Sequence, residues 1–379
     1  MSTFRELGIP AGLVKGLEEM GIVTPTEVQA KSIPFLIKNG GDFCAQAQTG
    51  TGKTAAFGLP LLTKIDPKKP VIQGLVIAPT RELAKQIGKH LFRYTKFSEK
   101  IFIEVLAGGE PMDGQIARLQ RPTHIIVATP GRLLDLIKRK ALTLVNVKHL
   151  VLDEADEMLS MGFKKELVAV FGLTRGRRST WLFSATFPDS IHALVKGAMP
   201  GQPETLRVDK AHVVNRDIDH RYAVCGKDEK NDFLAHFLAD REEERGLIFV
   251  RTKAGAIALG RQLEKLGFPV DVIQGDLSQR ERDKVMRGFK GRRSRILIAT
   301  DVAARGIDVE ALSFVIHYQL PEQLEYYTHR SGRTARAGKK GISVALIDPR
   351  ERKKIGKFEE ALGFTFSEVC CIQPGNASL

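Results

Sequence analysis

The sequence predicts an α/β protein of two tandem units, each a mostly parallel sheet with helices on both faces. Three observations predict it. Short apolar runs alternate with helix-length stretches along most of the 379 residues. Most of the runs are apolar throughout, as in strands covered on both sides, rather than at every second position. The alternation also lapses once, across residues 199–219, and then restarts.

Taken in order, the first strand is the run containing Phe43, Ala45 and Ala47. After it come Leu75-Val76-Ile77-Ala78, Phe102-Ile103-Glu104-Val105-Leu106, Ile125-Ile126-Val127-Ala128, Leu150-Val151-Leu152 and Trp181-Leu182-Phe183. Met199-Pro200-Gly201-Gln202-Pro203-Glu204 and the polar stretch after it read as a linker. The expected division is a first domain over residues 1–205, a linker over 206–218 and a second domain over 219–379. In the second domain the strand runs are Tyr222-Ala223-Val224, Leu247-Ile248-Phe249-Val250, Val270-Asp271-Val272-Ile273, Ile296-Leu297-Ile298-Ala299, Phe314-Val315-Ile316 and 342–347. A short, partly charged tail follows, with no further domain expected.

The formal charge of +14 favours a polyanionic partner, of which nucleic acid is the usual one. No apolar run reaches the ~18–20 residues needed to span a bilayer, and the N-terminus does not read as an export signal. Cys44, Cys225, Cys370 and Cys371 form no C-x-x-C pair, so neither a zinc site nor a disulfide framework is expected. A reducing, cytoplasmic compartment fits this cysteine usage. Trp181, in a strand run, reads as core, and most of the nine histidines are scattered. The basic clusters Arg175-Gly176-Arg177-Arg178, Lys290-Gly291-Arg292-Arg293-Ser294-Arg295 and Arg350-Glu351-Arg352-Lys353-Lys354 read as solvated turns.

Chemistry concentrates after the first strand, at Ala47-Gln48-Thr49-Gly50-Thr51-Gly52-Lys53-Thr54. Strand, glycine-bearing loop, Lys-Thr and helix make a phosphate-binding loop. Gly50 and Gly52 let the backbone approach phosphate oxygens, and the helix N-terminus aims its free N–H groups at the anion. Lys53 is expected on the β- and γ-phosphates, and the Thr54 hydroxyl on a Mg²⁺ ion. Such a loop needs carboxylates, and Leu150-Val151-Leu152 runs directly into Asp153-Glu154-Ala155-Asp156. Asp153 suits the metal and Glu154 the attacking water.

The Asp-Glu-Ala-Asp tetrad beside this loop resembles the DEAD-box family of ATP-dependent RNA helicases, and further motifs match in order over residues 4–347. The resemblance implies two RecA-like domains, and ATP and Mg²⁺ as cofactors. It implies an enzyme that hydrolyses ATP on RNA-driven domain closure, locally unwinding short duplexes or remodelling RNA–protein complexes. Gly21-x-x-x-Pro25-Thr26-x-x-Gln29, with Phe4 upstream, resembles the family's adenine-reading motif. There the Gln29 amide would satisfy a donor and an acceptor on the base. Ile22 stands where the family often has a stacking aromatic, which leaves that role to Phe4.

Pro79-Thr80-Arg81-Glu82-Leu83, Gly108-Gly109 and Thr129-Pro130-Gly131-Arg132 resemble first-domain RNA motifs, and Ser184-Ala185-Thr186 the motif coupling hydrolysis to strand separation. In the second domain Gln279-x-x-Arg282, the 300–308 stretch from Thr300 to Asp308, and His329-Arg330-Ser331-Gly332-Arg333-Thr334-Ala335-Arg336 match. By resemblance Arg81, Gly109, Thr129, Arg132, Gln279, Arg282 and Thr300 contact RNA, and Asp308 binds the ribose hydroxyl. Arg333 and Arg336 are then the arginine fingers, and their spacing suits one helical turn. Gln319 replaces an acid common in the family.

The implied partner is RNA, bound through its backbone, with protein partners adding specificity. No membrane association and a monomer are expected. A non-catalytic RNA clamp and a DNA-directed ATPase on the same core are the alternatives. The clamp is expected to lack Lys53, Glu154 or the arginines, and all are present.

Overall fold

The computed structural model describes residues 2–38, 41–48, 50–199, 201–208, 217–304, 312–335 and 339–370. It divides into two units, Met1–Asp209 and Lys210–Leu379. In the first, seven strands form one sheet: β1 (Phe43–Gln46), β2 (Gly74–Ile77), β3 (Ile103–Leu106), β4 (Ile125–Ala128), β5 (His149–Asp153), β6 (Ser179–Ser184) and β7 (Glu204–Arg207). Their order is β3-β4-β2-β5-β6-β1-β7, and every pairing is parallel. The second unit repeats the plan with β8 (Ile218–Val224), β9 (Gly246–Phe249), β10 (Val270–Ile273), β11 (Ile296–Ala299), β12 (Phe314–His317), β13 (Gly341–Ile347) and β14 (Ser367–Val369). Here the order is β10-β11-β9-β12-β13-β8-β14, again all parallel.

Alternate residues of each strand supply opposite cores. Phe43, Ala45, Val76, Val127, Val151, Trp181 and Phe183 pack on one side of the first sheet. Cys44, Leu75, Ile77, Ile126, Leu150, Leu152 and Leu182 pack on the other. With both faces covered, strand positions are mostly apolar, and near-continuous apolar runs result.

Two edge strands were not expected. β7 lies against β1 where the sequence reads as linker, and β8 begins at Ile218, inside the expected linker. β14 lies against β8 in the expected tail. The basic clusters are largely exposed, but Arg177 and Arg295 turn inward from theirs. Arg177 donates to the carbonyls of Phe171 (3.1 Å), Thr174 (3.1 Å) and Ala198 (2.6 Å), while Arg295 donates to those of Arg241 (2.7 Å) and Leu238 (3.0 Å). These guanidinium forks satisfy carbonyls that helix ends leave unpaired.

The second core encloses histidines. The His220 Nδ1 lies 2.7 Å from the Tyr327 hydroxyl, and the His317 Nε2 lies 3.0 Å from the Ser343 Oγ. Burial pushes His220 down from the usual 6.5 to about 4, and His317 well below its usual value. Both stay neutral in the fold while the unfolded chain protonates them near 6.5. The unfolded state therefore binds more protons below that pH, so stability is lost as pH falls from 6.5 toward 4. For His220 alone the loss by pH 4 is about 3 kcal/mol. His220→Gln, neutral throughout, is expected to flatten the fall in melting temperature between neutral pH and pH 4 while lowering it at neutral pH. Thermal unfolding across that range checks both.

Candidate active site and nucleic-acid interface

Apart from Phe4 and Gln29, which precede β1, the chemistry expected of the first unit sits at the carboxyl ends of its strands, where ligands bind on parallel sheets. β1 leads to the glycine loop, β5 to the acidic tetrad and β6 to Ser184-Ala185-Thr186. The motifs expected to contact RNA follow β2, β4 and β3, the contiguous strands on the far side of β5.

The loop feeds the helix Lys53–Lys64, whose N-terminus is formed by Gly52 in the left-handed region at φ +87°. Gly50 is left-handed too, at φ +83°. A Cβ on Gly52 would stand 2.2 Å from the Gln29 Nε2, so only glycine lets the loop and Gln29 meet. The Gln29 Nε2 donates to the Gly52 carbonyl (3.0 Å), and its Oε1 accepts from the Thr26 N–H (2.9 Å). One amide hydrogen and one lone pair are left over, the pair an adenine edge requires. Thr26 also donates to the Thr51 carbonyl (2.8 Å), and the Thr51 hydroxyl to that of Gln48 (2.8 Å). Thr54 is half-buried on the first helical turn.

Lys53 is 6% exposed, and its Nζ has no hydrogen-bond partner among the described residues. An unpaired buried ammonium is costly, so it marks a position built for an anion. Asp153, at the end of β5, is 3% exposed. Burial pushes its carboxyl up to about 7; Lys53 pulls it down, while Glu154 and Asp156 push it further up.

Glu154 has φ +52° and ψ +53°, a left-handed conformation costing a non-glycine residue about 1–3 kcal/mol. Its N–H donates to the Asp153 Oδ1 (3.1 Å), and its carbonyl accepts from the Met158 N–H (3.1 Å), both helping to hold that conformation. Nothing in the sequence signals this strain. Sequence reasoning also gave Asp156 no role. Its Oδ2 accepts from the Thr186 N–H (2.9 Å) and hydroxyl (2.8 Å), and its N–H donates to the Ser184 Oγ (3.2 Å). The tetrad and the Ser-Ala-Thr motif are thus directly bonded.

Phe4 requires a correction. It is 2% exposed and packed in the core with Leu7, Ile9 and Leu13, so the expected stacking ring has no free face. Ile22 packs half-buried against the same core.

On the RNA side, Thr80 caps the helix that begins at Arg81, accepting from the Leu83 N–H (3.3 Å). A Cβ on Gly108 would approach the Arg81 guanidinium to 3.1 Å, and Gly109 is left-handed at φ +81°. Thr129 precedes the helix Pro130–Lys138, and the Arg132 Nη1 donates to the Glu110 carbonyl (3.1 Å). Three strand ends therefore bring guanidinium, hydroxyl and bare backbone together, a mixture that binds phosphates without reading bases.

In the second unit, Gln279 starts the helix Gln279–Lys290 and donates to the Asp283 Oδ1 (2.9 Å). Arg282 donates to the Ala303 carbonyl (2.6 Å), which joins this helix to the turn after Thr300, itself 6% exposed. Arg330, unassigned from sequence, is buried and grips the Asp301 carboxylate with two bonds (2.6 and 2.7 Å). The Gln319 carbonyl accepts from Arg330 (3.1 Å), and its Oε1 accepts from the Arg251 N–H (3.0 Å). At that position the amide oxygen serves as an acid's would. Arg333 corrects an expectation, since the helix Leu324–Ser331 ends before it and Ala335 is left-handed at φ +53°. The described residues 333–335 do not continue the helix. Thr49, Asp308 and Arg336 lie outside the described residues.

A parallel sheet whose first strand ends in a glycine loop with a buried lysine, beside strand-end carboxylates, defines a phosphate-binding-loop nucleoside triphosphatase. Residues 26–194 match the DEAD/DEAH box helicase family, and residues 229–338 match the helicase conserved C-terminal domain. Over 359 residues the chain is 44% identical to the DEAD-box ATP-dependent RNA helicase CshA of Bacillus cereus, covering 95% of this chain and 68% of that protein. The structure of S. cerevisiae Dbp5 bound to RNA and ADP BeF3 superposes with a TM-score of 0.89 at 33% identity, covering 98% of this chain and 96% of that one. Mss116p bound to ssRNA and AMP-PNP gives 0.86 at 29% identity, over 99% and 80% of the two chains. The chain belongs to the DEAD-box ATP-dependent RNA helicases.

Proposed function

We propose that this chain is an RNA-stimulated, Mg²⁺–ATP-dependent helicase that unwinds short RNA duplexes locally or remodels RNA–protein complexes. The observation that carries this reading is the buried Lys53 ammonium, without a hydrogen-bond partner among the described residues, whose charge acts on the buried Asp153 carboxyl. A cation–carboxylate arrangement of this kind suits a Mg²⁺–triphosphate. The Thr54 hydroxyl and Asp153 carboxylate are hard oxygen donors of the kind Mg²⁺ takes alongside several waters. When bound, Mg²⁺ would neutralise charge on the β- and γ-phosphates.

The chain's own residues do the rest. Gln29 reads the adenine, the loop N–H groups and Lys53 hold the phosphates, and Glu154 orients the attacking water. Asp308 binds the ribose, and Arg333 and Arg336 stabilise charge on the transferring phosphate from the second domain. RNA lies along Arg81, Gly109, Thr129 and Arg132 of the first domain and Gln279, Arg282 and Thr300 of the second. RNA and ATP together favour a closed state, so RNA binding raises hydrolysis. A cytoplasmic location suits the buried Cys44 thiol. Dbp5 and Mss116p bound to RNA and nucleotide analogues support both ligand classes.

The bonds from Thr186 to Asp156 and from the Asp156 N–H to Ser184 give this reading its test. Thr186→Ala removes the hydroxyl bond to a carboxylate and is expected to leave RNA-stimulated hydrolysis within a few-fold of normal. Strand separation of a short RNA duplex should fall at least ~10-fold, as befits a lost bond to a charged group. Equal loss of hydrolysis and unwinding would contradict the coupling role.

A further inference from the structure

The side chain of Gln115 is fully buried beneath the loop that carries Gly108 and Gly109. It belongs to none of the motifs that bind nucleotide or RNA, yet its amide is bonded on every side. Its Nε2 donates to the Ala107 carbonyl (2.8 Å) and to the Glu110 Oε2 (3.4 Å), on the two flanks of the glycine pair. Its Oε1 accepts from the Arg132 Nη1 (3.0 Å), which also donates to the Glu110 carbonyl (3.1 Å). Glu110 is held in addition by Lys85 (3.0 Å) and Arg118 (3.1 Å), and Arg118 is anchored on Glu104 (2.5 Å).

This pattern uses both amide hydrogens and the amide oxygen, so only one orientation of the side chain satisfies it. We propose that Gln115 is the positioning residue of the RNA-binding edge, fixing the Gly108-Gly109 backbone and the Arg132 guanidinium in one geometry for consecutive phosphates. The assignment rests on the RNA-dependent reading above and extends it to a residue that touches no ligand. A preformed backbone-and-guanidinium surface loses less conformational freedom on binding, which is how a buried amide strengthens affinity without contact. The Arg81 guanidinium, packed against Gly108, shares the same support.

Gln115→Glu keeps the size but removes both hydrogens, leaving the Ala107 carbonyl without this donor and setting one carboxylate against that of Glu110. Gln115→Met keeps the volume without any hydrogen bond. Glu110→Gln loosens the same loop at a partly exposed position and guards against loss of folding in the buried variants. The measurements are the KM for single-stranded RNA and kcat at saturating RNA in Mg²⁺–ATP hydrolysis, direct RNA binding by fluorescence anisotropy, ATP affinity and melting temperature. The expected result is at least a 10-fold rise in KM and Kd for RNA with Gln115→Glu, and a smaller rise with Gln115→Met and Glu110→Gln. ATP affinity and kcat should stay within about three-fold, since no nucleotide-binding group is touched.

Unchanged RNA affinity in a folded Gln115→Glu protein overturns the assignment, and so does an equal loss of ATP affinity, which would mark general structural damage. A wild-type protein that neither binds RNA nor is stimulated by it overturns the functional reading itself, and this assignment with it.

Discussion

Replacing Glu154 by glutamine is expected to lower RNA-stimulated ATP hydrolysis by about 10²–10⁴-fold, the usual contribution of a positioned general base. Glutamine keeps the length and one oxygen of the side chain but not its negative charge. It therefore fills the same space without drawing a proton from the attacking water. The backbone at Glu154 is already committed to φ +52°, and the bonds from its N–H and to its carbonyl are main-chain, so the substitution leaves the strand end as it is. ATP and RNA affinities should consequently remain close to normal. Single-turnover hydrolysis with saturating RNA, beside equilibrium binding of both ligands, separates the chemical step from binding. Hydrolysis at the normal rate would falsify the role given to Glu154.

Lys53→Met is expected to abolish ATP-dependent behaviour while leaving the ligand-free protein at least as stable as before. The Lys53 ammonium is buried without a hydrogen-bond partner, so in the absence of ligand it carries a desolvation cost that methionine of similar length does not. Its removal also takes away the main positive charge that pulls the buried Asp153 carboxyl down against burial, so that carboxyl rises further and holds a cation less readily. Thermal unfolding with and without Mg²⁺–ATP checks both halves. The wild-type melting temperature should rise with ligand, since binding to the folded state alone stabilises it. The variant should show no such rise from an equal or higher starting point. A variant that melts well below wild type without ligand would mean that Lys53 is paired in the free protein.

The sheets were legible because burial on both faces writes itself into the sequence. Ile125-Ile126-Val127-Ala128 and Ile296-Leu297-Ile298-Ala299 are fully enclosed and apolar throughout. β7 and β14 were not, because the outer edge of a sheet imposes no such demand: Glu204, Thr205 and Arg207 of β7 are exposed, as are Ser367 and Glu368 of β14. The glycine loop and the acidic tetrad were legible because phosphate and metal chemistry prescribes residue types at fixed spacing. What spacing cannot carry is backbone conformation and burial. The left-handed Glu154, the break in helix before Arg333 and the enclosure of Phe4 each depend on packing with elements far away in sequence. Asp156 and Gln115 escaped notice for a related reason. Their partners Thr186 and Arg132 lie 30 and 17 residues on, and only the parallel sheet brings them together.

The most direct test of the account is steady-state ATP hydrolysis with Mg²⁺ at one fixed low salt concentration, comparing no nucleic acid, single-stranded RNA and DNA of matched sequence. Salt must be held constant because phosphate contacts weaken steeply as it rises. Strong stimulation by RNA and little by DNA is the predicted result, since only RNA offers a 2′-hydroxyl. Hydrolysis indifferent to both polymers, or raised equally by both, would contradict the claim that this chain couples ATP hydrolysis to RNA.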